Sequence, residues 1–311
     1  MIYTLTLNPA IDLFIDTPRL DEGVVNRTNR YDVQANGKGV NVSFILERLG
    51  VANTALGLGG GFTLAYIQSQ LTASGIENQF IDTGGITRIN VFTHVDDGER
   101  EYKLVNPGPV VPASGLKQLE KLLEQLTNQD ALIVSGSFAQ GIEPALISQL
   151  GVRSQQQGFK LIIDTSYSAV MDCLKYRPFL IKPNNAELAS WYGRPANIDS
   201  MEIVKLGRDM QHRGAQNILI SCGNAGAIFI GDQVLKGNAP QIDVLNTAGA
   251  GDTMLGTFVA GLVKGKPSAE NLKYAIAAGS DTARNSWVTD FNHLDDLLAQ
   301  ITVSTFTEGG K

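Results

Sequence analysis

The sequence predicts an α/β fold: a doubly wound, mainly parallel sheet with helices on both faces and a small β-sheet lid. Three observations predict it. Short β-rich runs alternate with amphipathic helical stretches along most of the 311 residues, the pattern of a parallel sheet covered by helices. Two stretches break this alternation with four strands that have no helices between them, as a small projecting sheet requires. No repeat, low-complexity segment or linker interrupts the chain, so residues 1–311 are expected to form one domain, with the lid as an insertion built from segments near 12–36 and 87–105.

In chain order, the expected core strands are Ile2–Leu7, Thr54–Leu58, Ala131–Val134, Lys160–Ile163, Phe179–Ile181, Asn217–Ser221, Ala227–Ile230 and a short Ile242–Leu245. Apolar residues at helical spacing mark Val40–Leu49, Leu116–Leu126, Pro144–Gln156 and Ile203–His212 between them. The last hundred residues turn helical, over Thr253–Lys264, Ser268–Arg284 and Leu294–Ile301, before the polar tail Glu308–Lys311, expected to fray. The lid strands are Asp12–Asp16, Tyr31–Ala35, Thr87–Val95 and Arg100–Val105, the last two joined as a hairpin at Asp96-Asp-Gly98. Such a lid can close over a substrate, and its exposed edges invite a second subunit.

Composition narrows the function classes. A net charge of −6 without a long Lys/Arg run gives no basic surface for nucleic acid or anionic membrane. Any cations that hold a charged ligand must therefore be single, local residues. The two cysteines, Cys173 and Cys222, have no metal-ligand spacing, and the three histidines stand far apart. Met1–Leu7 alternates like a strand and lacks a signal peptide's basic start and apolar stretch; no segment approaches the roughly 20 apolar residues of a membrane span. A reducing cytoplasm is the expected location.

The most informative local pattern is Asn246-Thr-Ala-Gly-Ala-Gly-Asp-Thr253, between a short strand and an apolar helix. Gly249 and Gly251 permit a backbone path closed to residues with a β-carbon. Their amides, with that of Ala250, can converge on an anion at a helix N-terminus. Asp252 then stands at the mouth of the anion hole, placed to take a proton from an attacking hydroxyl. The same pattern fits an aspartate that caps the helix behind a glycine turn. A Walker A loop is absent, because Gly37-Lys38-Gly39 ends in Gly where Ser or Thr is needed; Gly57-Leu-Gly-Gly-Gly-Phe62 likewise fails as a dinucleotide fingerprint.

Weaker signals share strand ends, where open α/β sheets bind ligands. Lys38 can reach a phosphate as a mobile charge, and Asn41 offers both a donor and an acceptor to hydroxyls. Asp12 follows the first strand, Ser135-Gly-Ser137 ends another, and Arg88 opens the lid hairpin; each also reads as an ordinary loop residue. Asn184 and Glu187 match a capping box, while a functional reading makes Glu187 a partner for Mg²⁺ through water, with Asn184 near nucleotide phosphates. Ser221-Cys-Gly-Asn-Ala-Gly226 reads as a nucleotide-phosphate loop or as a Gly-rich hairpin.

Taken together, these residues resemble the PfkB (ribokinase-like) family of carbohydrate kinases over essentially the whole chain. Two stretches correspond to the family signatures, the Gly37–Asn41 region and Asn246–Phe258. Thr6-Leu-Asn-Pro-Ala-Ile-Asp12, Thr87-Arg-Ile-Asn-Val91, Asn106-Pro-Gly-Pro109 and Lys182-Pro-Asn-Asn-Ala-Glu-Leu188 point to its hexose-phosphate branch. The resemblance implies ATP and Mg²⁺, with Asp252 as base and Gly249, Ala250 and Gly251 as anion hole. It places Asp12, Gly37 and Asn41 on sugar hydroxyls and Lys38, Arg88 and Ser137 near the substrate's phosphate. Lys103 and Arg27 become further cations across a homodimer formed through the lid. Lys182, Asn184, Glu187, Ser221, Gly223 and Gly226 line the nucleotide side. The expected reaction converts fructose 1-phosphate to fructose 1,6-bisphosphate; tagatose 6-phosphate going to tagatose 1,6-bisphosphate is one alternative, and a non-catalytic sugar or nucleotide sensor another. The chain departs from the pattern at Asn36, where a Gly-Gly pair is usual, at Ser135–Gly141, which lacks Leu-Pro after the second Ser, and at Leu255–Phe258.

Overall fold

The computed structural model describes residues 1–306. Its larger sheet contains β1 (Ile2–Thr6), β4 (Asn53–Gly59), β5 (Glu77–Asp82), β8 (Ala131–Ser135), β9 (Lys160–Asp164), β10 (Leu180–Ile181), β11 (Ile218–Ser221), β12 (Ala227–Ile230), β13 (Val234–Gly237) and β14 (Val303–Thr305). The smaller sheet contains β2 (Ala10–Thr17), β3 (Arg30–Asn36), β6 (Arg88–Val95) and β7 (Arg100–Leu104). The helices are α1 (Lys38–Arg48), α2 (Gly61–Ala73), α3 (Ala113–Leu123), α4 (Leu146–Gln157), α5 (Val170–Cys173), α6 (Asn185–Trp191), α7 (Ser200–His212), α8 (Ala250–Val263), α9 (Ser268–Ala283) and α10 (Asp295–Gln300).

The large sheet runs β14-β13-β12-β11-β10-β9-β8-β1-β4-β5. It is parallel from β5 through β11 and antiparallel from there to β14. Successive strand residues feed two cores, because side chains alternate across a sheet. Leu132 and Val134 of β8 join α3, α4 and α7 on one face, while Ile133 joins α1, α8 and α9 on the other. Leu161 and Ile163 of β9 divide from Ile162 in the same way. Each such fully buried aliphatic side chain stabilises the fold by about 1.5–3 kcal/mol. The strand order reverses at β1, which has β4 on one side and β8 on the other. Such a reversal opens a crevice at the C-terminal ends of the two strands, where the connecting chains leave in opposite directions.

The small sheet runs β3-β2-β6-β7. Ile11 and Ala35 tie it to a third core that includes Val40 and Phe44 of α1 and Ile67 and Leu71 of α2. Phe14 stacks on Phe92 with ring centroids 5.0 Å apart. The expected hairpin is present, with Val95 paired to Arg100 around Gly98 at φ 76°. All of β7 is exposed. Among the described residues, no helix is long and apolar enough to cross a membrane.

Ile242–Leu245 forms no strand, contrary to its apolar pattern. The edge of β13, the strand before it, is occupied by β14, with Leu235 paired to Thr305. Instead, the amides of Leu245 and Asn246 both donate to the Ala283 carbonyl, and Val244 and Leu245 stay exposed. Three strands and one long helix lie outside the sequence expectations: β5, β13, β14 and α2. The tail at 308–311 lies outside the described residues.

Candidate active site

A cavity of about 320 Å³ opens where the large sheet reverses. Thr6 and Asn8 line it from the end of β1, and Ser135, Gly136 and Ser137 from the end of β8. Lys38 at the start of α1, Arg88 at the start of β6 and Glu187 in α6 complete the polar wall, together with Ser166. Buried polar atoms are normally paired. Eleven buried side-chain N and O atoms among the described residues have no partner, and four of them belong to residues that line this cavity: Thr6 Oγ1, Asn8 Oδ1, Arg88 Nε and Ser135 Oγ. Two more, Asp164 Oδ2 and Asn41 Oδ1, belong to residues bonded to Lys38 and to Asp252. A concentration of unpaired donors and acceptors in one crevice is the mark of a polar ligand site.

Beneath the cavity lies a cluster of opposite charges. Asp164, at the end of β9, is fully buried and holds Lys38 Nζ at 3.3 Å and Lys182 Nζ at 3.2 Å with one carboxylate oxygen. Asp252, in the first turn of α8, is 5% exposed, and its Oδ2 accepts from Asn41 Nδ2 at 2.8 Å. Burial pushes the Asp252 carboxyl up to about 6; Lys38, the Asn41 hydrogen bond and Lys182 pull it down, and Asp164 pushes it up. Asp164 raises the basicity of the half-buried Lys38 ammonium, outweighing the loss of hydration around it.

Gly249 precedes α8 at φ 79°, and a β-carbon there would meet Val288 Cγ1 at 3.0 Å. A β-carbon on Gly251 would lie 3.3 Å from Lys182 Nζ, so the ammonium sits directly over this first turn. The Ala250 amide donates to Thr247 O at 3.3 Å, a long bond that closes the turn. Asp252 does not cap its own helix, since Gly249 occupies that position without a side-chain cap. Of the two local readings of Asp252, capping is therefore excluded.

On the small-sheet side, Asp12 is buried and accepts from Asn90 Nδ2 at 2.7 Å and Asn36 Nδ2 at 2.6 Å. Burial raises its carboxyl, opposed by the Asn90 hydrogen bond and by Arg88. Arg88 donates to Asn8 O at 3.0 Å and Asn106 O at 3.2 Å, which fixes the guanidinium while Nε stays unpaired. Burial lowers its basicity, opposed by Asp12 and Tyr167. Gly37, at φ 124°, passes so close to Thr6 that a β-carbon would lie 2.8 Å from its Cγ2. Ser137 is exposed, and its Oγ accepts from Asn8 Nδ2 at 3.4 Å.

Asn184 and Glu187 form a full capping box: Glu187 N donates to Asn184 Oδ1 at 2.7 Å, and Asn184 N to Glu187 Oε2 at 2.8 Å. Glu187 nevertheless lines the cavity, so the structural and functional readings coexist. The Ser221–Gly226 segment is a hairpin turn between β11 and β12, with Ser221 bridged to Asn184. Lys103 is exposed on β7 and pairs with Glu101, and Arg27 is also exposed; neither lines the cavity. Sequence reasoning missed Asp164, Asn90, Thr6 and Asn8. For Asp164 a signal existed: a carboxylate ending an otherwise apolar core strand, Lys160-Leu-Ile-Ile-Asp164.

The chain has known relatives. The model of the pfkB family carbohydrate kinases matches residues 5–292. D-tagatose-1-phosphate kinase from Bacillus licheniformis is 41% identical over 98% of this chain and 99% of its own. 1-Phosphofructokinase from Borreliella burgdorferi is 36% identical over 97% of this chain and 98% of its own. The crystal structure of phosphofructokinase-2 from Escherichia coli in complex with fructose-6-phosphate superimposes with a TM-score of 0.85 at 27% identity, covering 96% of this chain and 98% of that one. With family signatures, fold and relatives agreeing along nearly its full length, the chain belongs to the pfkB family of carbohydrate kinases.

Proposed function

We propose that this carbohydrate kinase transfers the terminal phosphoryl group of ATP to the C6 hydroxyl of a ketohexose 1-phosphate, with Asp252 as the base. The observation that carries this reading is the Asp252 carboxylate, buried beside Lys38, Lys182 and the open first turn of α8. Both relatives quoted by name act on a ketohexose carrying its phosphate on C1, fructose in one and the C4 epimer tagatose in the other. Fructose 1-phosphate remains the first expectation, with tagatose 1-phosphate beside it. A substrate phosphorylated at C6, the tagatose 6-phosphate alternative included, is favoured by one observation: the structural relative complexed with fructose-6-phosphate.

In this reading Asp252 accepts the proton of the attacking hydroxyl, and a carboxyl near 6 is ionised at neutral pH. The amides of Gly249 and Gly251, with Lys182, face the developing charge, while the Ala250 amide closes the turn on Thr247 O. Arg88 and Lys38 hold the phosphate already on the sugar, and Asp12 and Asn41 hold its hydroxyls, so catalysis is mainly positioning plus electrostatics. Mg²⁺ would neutralise phosphate charge on the nucleotide. Its fit here is through water: among the described residues no three carboxylate, His or Cys side chains gather to hold a metal, and Glu187 keeps one oxygen free of its cap. Lys182, Asn184, Glu187 and the Ser221–Gly226 turn line the nucleotide side.

The small sheet acts as a lid, and its exposed Tyr31, Tyr102 and Leu104, with Leu20, Val24 and Val25 in the connection from β2 to β3, supply apolar surface for a second copy. Lys103 and Arg27, remote from the cavity of their own chain, then approach the partner's site. ADP release with Mg-ATP and a panel of ketohexose phosphates tests the reading. Turnover with 1-phosphates is expected; preference for 6-phosphates would reverse the regiochemistry, and silence with retained binding would favour a sensor.

A further inference from the structure

We propose that Asn36 is a positioning residue that fixes the sugar-reading amide of Asn41, holding its nitrogen on Asp252 and leaving its oxygen for a substrate hydroxyl. The inference rests on the sugar-phosphate kinase reading above. Asn41 Nδ2 has two hydrogens, and both are engaged: one by Asp252 Oδ2 at 2.8 Å, the other by Asn36 Oδ1 at 2.9 Å. A flipped Asn41 amide would set its oxygen against those two acceptors, so only one orientation is compatible with the site. Asn41 is 2% exposed, and its remaining oxygen is buried without a partner. A neutral, unpaired buried acceptor on an amide bonded to Asp252 is completed by an O–H donor.

Asn36 is itself held on three sides. Its Oδ1 also accepts from Gly37 N at 2.6 Å, and its Nδ2 donates to Asp12 Oδ2 at 2.6 Å. Asp12 is held in turn by Asn90 of β6. An unbroken chain of hydrogen bonds therefore runs from the small sheet through Asn90, Asp12, Asn36 and Asn41 to Asp252. Without the Asn36 side chain, one Asn41 hydrogen is released, and the group offered to the sugar can change from acceptor to donor. Substrates that differ in a single hydroxyl, such as the 1-phosphates of fructose and tagatose, would then be ranked differently.

Steady-state kinetics of Asn36→Ala and Asn36→Gly with both 1-phosphates, and with ATP varied separately, test this. The KM for the ketohexose phosphate should rise about tenfold, the loss of an oriented hydrogen bond. The KM for ATP should stay within about twofold, and the fructose-to-tagatose preference should shift. Asn36→Ala combined with Asn41→Ala should cost less than the product of the single effects, because one residue acts through the other. Independent effects, or an unchanged sugar KM and preference, would overturn the proposal while leaving the kinase reading intact. A wild-type enzyme silent on every ketohexose phosphate would overturn the functional reading and this inference with it. Should Asn36→Ala fail to fold, Asn36→Ser keeps an acceptor for the Gly37 amide and supports the same comparison.

Discussion

Replacing Asp252 by Asn should trade activity for stability. A carboxyl raised from 3.8 to about 6 by burial means that the folded state disfavours the charge by about 3 kcal/mol. The sign follows from proton binding: below about 4 the acid is neutral in both states, so nothing is lost. Once the pH has risen through about 6, the folded protein carries the full cost of a buried anion. The amide introduced by Asp252→Asn carries no such charge at any pH. Urea titrations of both proteins should therefore show the variant more stable at pH 7.5, by up to about 3 kcal/mol, with the difference shrinking towards pH 4. In parallel, ADP release should fall about a hundred- to ten-thousand-fold, the usual contribution of a general base, while both substrates still bind. For the wild type, kcat should decline as the pH falls through about 6. Near-normal turnover in the variant would reject Asp252 as base. A variant less stable than wild type at pH 7.5 would show instead that Lys38 and Lys182 need its charge more than burial opposes it.

Arg88→Ala removes a fixed guanidinium from the cavity, and the KM for the sugar phosphate should rise about ten- to a hundredfold with ATP little affected; an unchanged value excludes Arg88 from the site. Asp164→Asn leaves Lys182, almost fully buried, without its counterion, so denaturant melts should show a loss of about 3–5 kcal/mol. Adding Lys182→Gln should recover part of that loss, whereas additive losses would refute the pairing. Gly249→Ala forces a β-carbon onto a left-handed residue 3.0 Å from Val288 Cγ1; a cost of about 1–2 kcal/mol and reduced turnover are expected, and a silent substitution would remove the glycine requirement.

The fold was largely legible because its central strands are short apolar runs with few rivals for their identity. β9 ends one residue beyond its expected limit, and that residue is Asp164. The pattern failed where local signals conflict with tertiary pairing. β5 begins Glu77-Asn-Gln at a sheet edge and has no apolar pattern to read, and α2 starts inside a glycine run resembling a loop. Ile242–Leu245 had the right residues, but the edge of β13, the strand before it, is taken by β14. At the site, the glycines and Asp252 announced themselves by spacing. The Asn36–Asn41 contact did not, because it depends on two side-chain amides meeting at the junction of β3 and α1. Nor did the meeting of Asn41 with Asp252, 211 residues later, which only the packing of α1 on α8 produces.

The strand reversal that creates the cavity also governs how the chain can be made. β1 gains its second neighbour only when β8 emerges, and the two banks of the crevice, Asn8 and Ser137, lie 129 residues apart. Until then a nascent chain carries an apolar strand with one ladder unfilled, a surface open to unwanted pairing. Expression temperature and chaperone supply should consequently govern the yield of this protein, and a ribosome-stalled fragment ending before residue 131 should be the species most prone to aggregate.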